Sequence, residues 1–417
     1  MAYLNRILGD LMSQTIGTMS LVYLNGMRQC GKSTLVQNLT TDKELNYTTF
    51  DNPAVLSFAR SDPASFIKQL PQNKLNVIDE VQLAPELFRY LKMIVDEKRL
   101  AAKDRGLYVL TGSANIFALP KLADALAGRM AILTLYPFSV SEIKGTGKNF
   151  IRELWNNELS PVKYSRAKLL DIIANATFPE LAIDRKKDRN VWFDGYVTTI
   201  LQRDVRVLSD IKNPENIYQL LVSFSQRAGG LMNNANVMKE TGFDAKTYEK
   251  YKALCIGTFL IFELPSWTKP NRLDKRFVKQ KKLYFTDTAL LCYLMRRDME
   301  EIYRNDMTTM GHIFENFIAM EIMKATKSAG TYHVSHFNPV QGHGKEVDFV
   351  IENHAGEAIA IEVKLSATII EKDWANMGLL REILEKKFLK GIIIYTGTEL
   401  MQVSRDIWAV PVNYLWE

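Results

Sequence analysis

The segment Gly26-Met27-Arg28-Gln29-Cys30-Gly31-Lys32-Ser33 fits the phosphate-loop pattern G-x-x-x-x-G-K-[ST] and lies between a predicted strand and a predicted helix, the setting that this pattern requires. Glycines let such a loop curl until its backbone N–H groups and the N-terminus of the next helix face phosphate oxygens. Lys32 then supplies a cation to the β- and γ-phosphates, and Ser33 a hydroxyl to Mg²⁺. The expected nucleotide-binding set is Gly26, Arg28, Gln29, Cys30, Gly31, Lys32, Ser33 and Thr34, with Cys30 a small filler rather than a redox switch. A second apolar run, Val77-Ile78, delivers Asp79 and Glu80 to the same end of a sheet. Asp79 is expected to hold Mg²⁺ through water and Glu80 to polarise the attacking water, since in-line attack on a γ-phosphate needs positioning and charge neutralisation more than covalent chemistry. The next strand ends in Leu110-Thr111-Gly112-Ser113, where the hydroxyl of Thr111 or of Ser113 can sense the γ-phosphate. Leu126-Ala127-Gly128-Arg129 places a guanidinium before a fifth strand. Arg129 either acts on the nucleotide, in cis or from a neighbouring subunit, or pairs with a surface acid.

A second set of charged residues lies near the other end of the chain. Glu346-Val347-Asp348 and Glu362-Val363-Lys364 fall on two predicted strands joined by a turn at 353–356, and Glu315 on the preceding helix. Strand alternation puts Glu362 and Lys364 on one face, and the hairpin can bring Asp348 beside them. Asp348, Glu362 and Glu315 are expected to hold a second divalent metal, Mg²⁺ or Mn²⁺, with Lys364 stabilising a hydroxide or phosphorane charge, as metal-assisted phosphodiester hydrolysis requires. The alternative pairs these acids with Lys345 or Lys364 in a domain that cuts nothing. All five histidines fall between His312 and His354, but His333 and His336 face opposite ways on a predicted strand, which argues against zinc.

The elements that must position these groups follow from periodicity. Ser20 to Asn25, Leu45 to Phe50, Leu75 to Ile78, Leu107 to Leu110 and Met130 to Leu135 read as strands separated by helical patterns, the rhythm of a parallel α/β sheet. The sequence predicts this P-loop sheet over 1–140, a helical subdomain over 141–215 with helices in Lys163 to Asn175 and Asn190 to Leu208, a winged-helix-like unit over 216–300, and an α/β domain over 301–417. The third unit rests on helices at Asn216 to Arg227, Asn234 to Glu240 and Ala245 to Leu254, then strands at Phe259 to Leu264 and Lys282 to Phe285. The fourth reads as helix Ile313 to Thr326, strands Thr331 to Phe337, Glu346 to Glu352 and Ala358 to Lys364, helix Glu371 to Lys387 and strand Gly391 to Tyr395.

Length and charge bound the function classes. The 417 residues exceed one core, and 47% hydrophobic with 24% charged residues is ordinary globular composition. No apolar run or leader pattern suggests a membrane span or secretion, and three widely spaced cysteines fit a reducing cytoplasm. Residues 1–300 hold 42 Lys+Arg against 31 Asp+Glu, while residues 301–417 hold 11 against 16, so the two parts carry opposite net charge. Lys246, Lys250 and Lys252 on one predicted helix, with Lys269, Arg272, Lys275, Arg276, Lys279, Lys281 and Lys282 after it, make a clamp for DNA phosphates or a protein-contact surface.

Gly26 to Thr34, Ile78-Asp79-Glu80-Val81-Gln82, Thr111-Gly112-Ser113, Leu126-Ala127-Gly128-Arg129 and Pro137-Phe138-Ser139 resemble, in order and spacing, a family of prokaryotic AAA-type ATPases whose members join the ATPase to a C-terminal domain of unknown function. The resemblance runs the length of the chain through Pro179-Glu180, Arg203-Asp204, Thr247-Tyr248 and the Gly311 to Lys364 segment. Family members tend to have glycine and tyrosine where this chain has Thr177 and Phe178. The order of the last domain, with its Asp and Glu-x-Lys, resembles the restriction-endonuclease-like nucleases, although Asn338 stands where an arginine often follows the aromatic residue. These resemblances imply ATP and Mg²⁺ at the loop, DNA as partner and substrate of the C-terminal domain, and, if Arg129 acts in trans, a homo-oligomer. A nucleotide-gated protein-binding switch with a silent nuclease-like domain is the competing expectation.

Overall fold

The computed structural model describes residues 3–100, 105–113, 126–156, 159–160, 168–204, 213, 215–269, 280–330, 332–338 and 346–417. Five parallel strands, β1 (Leu21–Gly26), β2 (Leu45–Thr49), β3 (Leu75–Asp79), β4 (Tyr108–Gly112) and β5 (Met130–Leu135), form one sheet in the order β2-β3-β4-β1-β5. Alternate side chains feed two cores. Val22, Leu24, Val77 and Val109 pack on one face, and Leu21, Tyr23, Ile78 and Leu110 on the other, which is why these strands read as continuous apolar runs. The order has a chemical consequence: β4 lies between β1 and β3, so Thr111 at the end of β4 stands between the loop leaving β1 and the acids ending β3.

The middle of the chain contains helices Glu215–Ser225, Asn234–Thr241 and Ala245–Gly257 followed by an antiparallel pair, β6 (Ile261–Leu264) and β7 (Lys282–Phe285). Asn233 and Asp244 cap the second and third helices by accepting from Asn236 N and Thr247 N. The expected strand from Phe259 starts at Ile261 because Phe259 takes a left-handed backbone, φ 60°. Of the expected helix Asn190 to Leu208, Arg189–Thr199 is α-helical and Ile200–Asp204 is a π turn. Residues 205–208, residues 163–167 of the other expected helix, and Arg272, Lys275, Arg276, Lys279 and Lys345 lie outside the described residues.

Helix Met307–Ala329, 23 residues and roughly 34 Å long at the ordinary rise, is longer than expected because Asp306 caps it by accepting from Thr309 N. It leads into a six-stranded mixed sheet, β8 (His333–Phe337), β9 (Val347–Glu352), β10 (Ala358–Lys364), β11 (Phe388–Tyr395), β12 (Met401–Ser404) and β13 (Ile407–Pro411), in the order β12-β13-β11-β10-β9-β8. β8, β9 and β10 are antiparallel neighbours, whereas β10, β11 and β13 run parallel. The expected helix Glu371 to Lys387 is α-helical only over Ala375–Leu384, between two 3₁₀ turns. Strands β12 and β13 are not among the elements expected from the sequence. Among the described residues no helix is long and apolar enough to cross a membrane.

Candidate functional site

The phosphate loop is shaped by backbone constraints. A Cβ on Gly26 would lie 2.1 Å from the Leu135 carbonyl oxygen, so only glycine lets β1 turn beside β5. Gln29 at φ 59° and Gly31 at φ 95° curl the chain back into helix Lys32–Gln37. Lys32 is buried, and its Nζ donates to Gly26 O at 3.2 Å and Met27 O at 2.8 Å, which holds the ammonium inside the loop. Cys30 is buried with Sγ 3.3 Å from Leu135 O, and burial pushes its thiol up, as befits a filler. Arg28 gives its carbonyl to Tyr196 OH at 3.3 Å; Gln29 and Thr34 are exposed at the loop surface.

Asp79 gathers hydroxyls from helix Lys32–Gln37, β2 and β4. Its Oδ2 accepts from Ser33 Oγ at 2.7 Å and from Tyr47 OH at 2.5 Å, and its Oδ1 accepts from Thr111 Oγ1. Burial, then the bond to Asp79, pushes the Tyr47 phenol up to about 12, so it stays a donor. The next residue, Glu80, is left-handed at φ 57°, and its carboxylate accepts from Gln82 Nε2 and from Ser113 Oγ at 3.4 Å. Gln82 also donates to Ser113 at 3.2 Å. The two hydroxyl candidates thus divide: Thr111 belongs to Asp79 and Ser113 to Glu80. A Cβ on Gly112 would lie 2.6 Å from Tyr23 OH and 2.7 Å from Gln82 Oε1, so a larger residue there would displace the side chains of Tyr23 and Gln82. Ser33 hydroxyl with Asp79 carboxylate oxygens is the hard-oxygen donor set that suits Mg²⁺.

Arg129 is not brought to this site. Its guanidinium binds Asp96 of helix Leu87–Leu100 through Nε at 2.5 Å and a terminal nitrogen at 3.0 Å, the surface pairing that the sequence left open. The neighbouring acid wins because a fork of donors fits a carboxylate on an adjacent helix.

Residues without an assigned role in the sequence tie the loop to the rest of the chain. Arg6, 9% exposed, donates to Cys30 O at 2.8 Å, to Tyr136 O at 2.5 Å and to Glu142 Oε1 at 3.1 Å. Glu142 is held in turn by Ser139 in a capping box, a pairing legible as Ser139-Val140-Ser141-Glu142. Helix Met307–Ala329 docks on this turn: Glu321 accepts from Val140 N at 3.0 Å, and Lys324 donates to Phe138 O at 2.8 Å and to Glu321 at 2.9 Å. Glu321 and Lys324, spaced three apart within an apolar helix, were the available signal. Thr177 and Phe178 also have work to do. Thr177 donates twice to Asp287, and Phe178 packs against Trp192 and Tyr196 at 5.0 and 4.9 Å, the cluster whose Tyr196 touches the loop.

The C-terminal carboxylates converge, but on an amino group. Lys282, 3% exposed and first residue of β7, places Nζ 2.8 Å from Glu315 Oε1, 3.0 Å from Asp348 Oδ1 and 2.6 Å from Glu346 Oε1, the last an ion pair without hydrogen-bond geometry. Burial disfavours that charge, yet Tyr284, Asp348, Glu315 and Glu346 outweigh it and hold Lys282 well above its ordinary value. Tyr284 OH donates to Glu315 at 2.6 Å, and Val363 N to Asp348 Oδ2 at 2.9 Å. Glu362 pairs with Lys364 at 2.9 Å. Burial, then the Asp348 charge, raises the Glu315 carboxyl to about 7 and the Glu362 carboxyl well above its ordinary range. Of the three expected ligands, Glu315 and Asp348 therefore face the Lys282 ammonium and Glu362 faces Lys364, so in this arrangement Asp348, Glu315 and Glu362 do not fit a metal. Among the described residues no group of histidine, cysteine and acid side chains is arranged to hold one.

The basic clamp is also divided. Lys252 is buried and pairs with Glu249 and Glu263, Lys281 pairs with Glu263, and Lys282 points inward, so none of the three is a free phosphate contact; Lys246, Lys250 and Lys269 are exposed.

Residues 18–144 match the AAA domain, residues 166–301 a domain of unknown function (DUF8612), and residues 310–415 another (DUF4143). Uncharacterized proteins of Mycobacterium bovis and Mycobacterium tuberculosis are each 22% identical over 395 residues, 94% of this chain and 80% of theirs. Among solved structures, a Walker-type ATPase of Pyrococcus abyssi is 13% identical, with 70% of this chain and 96% of that one covered and a TM-score of 0.42. A RuvB variant of Thermotoga maritima is 17% identical, covers 62% and 89%, and has a TM-score of 0.30. These scores are too low to carry a functional argument. The loop geometry and the matched segment together make the N-terminal part of this chain a P-loop ATPase domain of AAA type.

Proposed function

We propose that this chain is an Mg²⁺-dependent ATP hydrolase whose nucleotide state is passed through helix Met307–Ala329 to the C-terminal half, which acts as a docking module rather than as a nuclease. The observation that carries hydrolysis is the hydroxyl-to-acid constellation of Ser33, Thr111 and Asp79 beside Glu80, Gln82 and Ser113. The loop N–H groups and Lys32 bind the phosphates. Ser33 and Asp79 would hold Mg²⁺, which would supply charge neutralisation at the phosphates. Glu80, held by Gln82 and Ser113, orients a water and takes its proton as the γ-phosphate is attacked. Thr111 and Tyr47 hold Asp79 in position. Arg6 links the loop carbonyl at Cys30 to Glu142, so a shift of the loop is felt at the turn that seats Glu321 and Lys324.

The docking reading is favoured over an ATP-coupled DNA nuclease by the Lys282 ammonium among Glu315, Glu346 and Asp348. Among the described residues of the clamp, DNA contact, with a winged-helix-like use of the three helices and β6–β7, rests on exposed Lys246, Lys250 and Lys269. ATP turnover measured with Mg²⁺, with and without duplex or single-stranded DNA at several salt concentrations, tests both. Turnover lost in Lys32→Ala with DNA uncut supports the proposal. Turnover undiminished in that variant overturns the loop assignment, and salt-sensitive, Asp348-dependent DNA cleavage overturns the docking reading.

A further inference from the structure

A lysine buried among three acids is costly unless its charge is matched, and Lys282 is matched on every side. It is 3% exposed, enters the cluster from β7 and meets Glu315 from helix Met307–Ala329 together with Glu346 and Asp348 from the start of β9. The residues around it fix its position. Lys282 sits opposite Leu264 in the β6–β7 ladder, Tyr284 donates to Glu315, and the Phe285 backbone exchanges hydrogen bonds of 2.8 and 3.1 Å with the Asn316 side chain. The lysine is thus tied through two further residues of its own strand to the helix that carries Glu315, and is no loose side chain lying across an opening.

We propose that Lys282 is a fixed internal cation standing where a divalent metal would stand among these carboxylates, so that the C-terminal domain is closed to metal and the cluster instead fastens β7 to helix Met307–Ala329 and β9. The proposal rests on the docking reading of the C-terminal half and is independent of ATP hydrolysis. Its chemistry is charge substitution: one ammonium donates to Glu315 and Asp348 and pairs by charge with Glu346, three side chains that would otherwise repel one another and attract a hard cation. With Lys282 removed, the same oxygens become a latent metal site.

The test uses the full chain without nucleotide and Mn²⁺ as probe, with free Mn²⁺ followed by its electron paramagnetic resonance and heat of binding by calorimetry. Wild type is expected to show no Mn²⁺ binding that Asp348→Asn changes. Lys282→Ala is expected to gain about one Mn²⁺ per chain and a melting temperature that rises with Mn²⁺, both lost when Asp348→Asn is added. If Lys282→Ala does not fold by circular dichroism, Lys282→Met combined with Glu346→Gln removes one charge of each sign and is held to the same expectations. Mn²⁺ bound by the wild-type chain in an Asp348-dependent way overturns the proposal and the docking reading together. A folded lysine variant that gains no Mn²⁺ overturns the substitution while leaving the docking reading in place.

Discussion

The nucleotide loop and the C-terminal cluster are built from the same parts, a lysine near paired acids at strand ends, and reach opposite electrostatic states. At the loop, Lys32 is held by the carbonyls of Gly26 and Met27, while Asp79 is satisfied by the neutral hydroxyls of Ser33, Tyr47 and Thr111. The acid and the lysine are kept apart, each solvated by groups that leave its charge available to phosphate or metal. In the C-terminal domain the lysine lies among the acids and their charges cancel. The difference teaches that residue type and strand placement do not specify a metal site: what counts is whether the acids' partners are neutral or already cationic.

The largest effect expected from this comparison is at the loop. Lys32→Ala should lower ATP turnover by roughly 100-fold or more, the scale of losing one preorganised electrostatic contact, as measured by phosphate release. Glu80→Gln should reduce turnover by about 100-fold or more while nucleotide binding, followed with a fluorescent ATP analogue, is retained. Binding lost in step with turnover would move Glu80 from the water to the nucleotide. Arg6→Ala leaves Glu142 buried without its cation and should destabilise the ATPase half by about 3–5 kcal/mol in denaturant unfolding. Arg129→Ala sharpens the contrast between a paired and a free cation. With Arg129 engaged by Asp96, turnover should change less than about threefold, whereas a finger acting in trans would cost about 10³-fold or more and make turnover depend on protein concentration. The smallest effect concerns the cap of the connecting helix. Arg297 first, then the Thr309 bonds, hold Asp306 down to about 2 from an ordinary 3.8, so its stabilisation is present above 3.8 and is lost as pH falls towards 2. Asp306→Asn should flatten that part of the melting temperature's acid limb.

Much of the first region was legible because its signals are local. The phosphate-loop spacing fixes Gly26, Gly31, Lys32 and Ser33, and an apolar run ending in two acids fixes Asp79 and Glu80. Arg6 escaped notice because nothing local distinguishes it; its partners Cys30, Tyr136 and Glu142 are up to 136 residues away. Lys282 was misread as part of a basic surface for the same reason. Its neighbours in the chain are basic, and its neighbours in space, Glu315, Glu346 and Asp348, are not near it in sequence. Lys252 followed it inward onto Glu263.

By itself, the sequence determined the parallel sheet of the N-terminal half, the phosphate-loop pattern after its first strand and the identity of the acids that end β3, since backbone conformation at glycine and strand alternation are properties of a few adjacent residues. It also placed Asp348, Glu362 and Glu315 on the elements where they are found. Only the tertiary structure decided what those acids face. Charge pairing is set by distances of about 3 Å between residues far apart in the chain, and packing brought Asp96 to Arg129 and Lys282 to the C-terminal carboxylates.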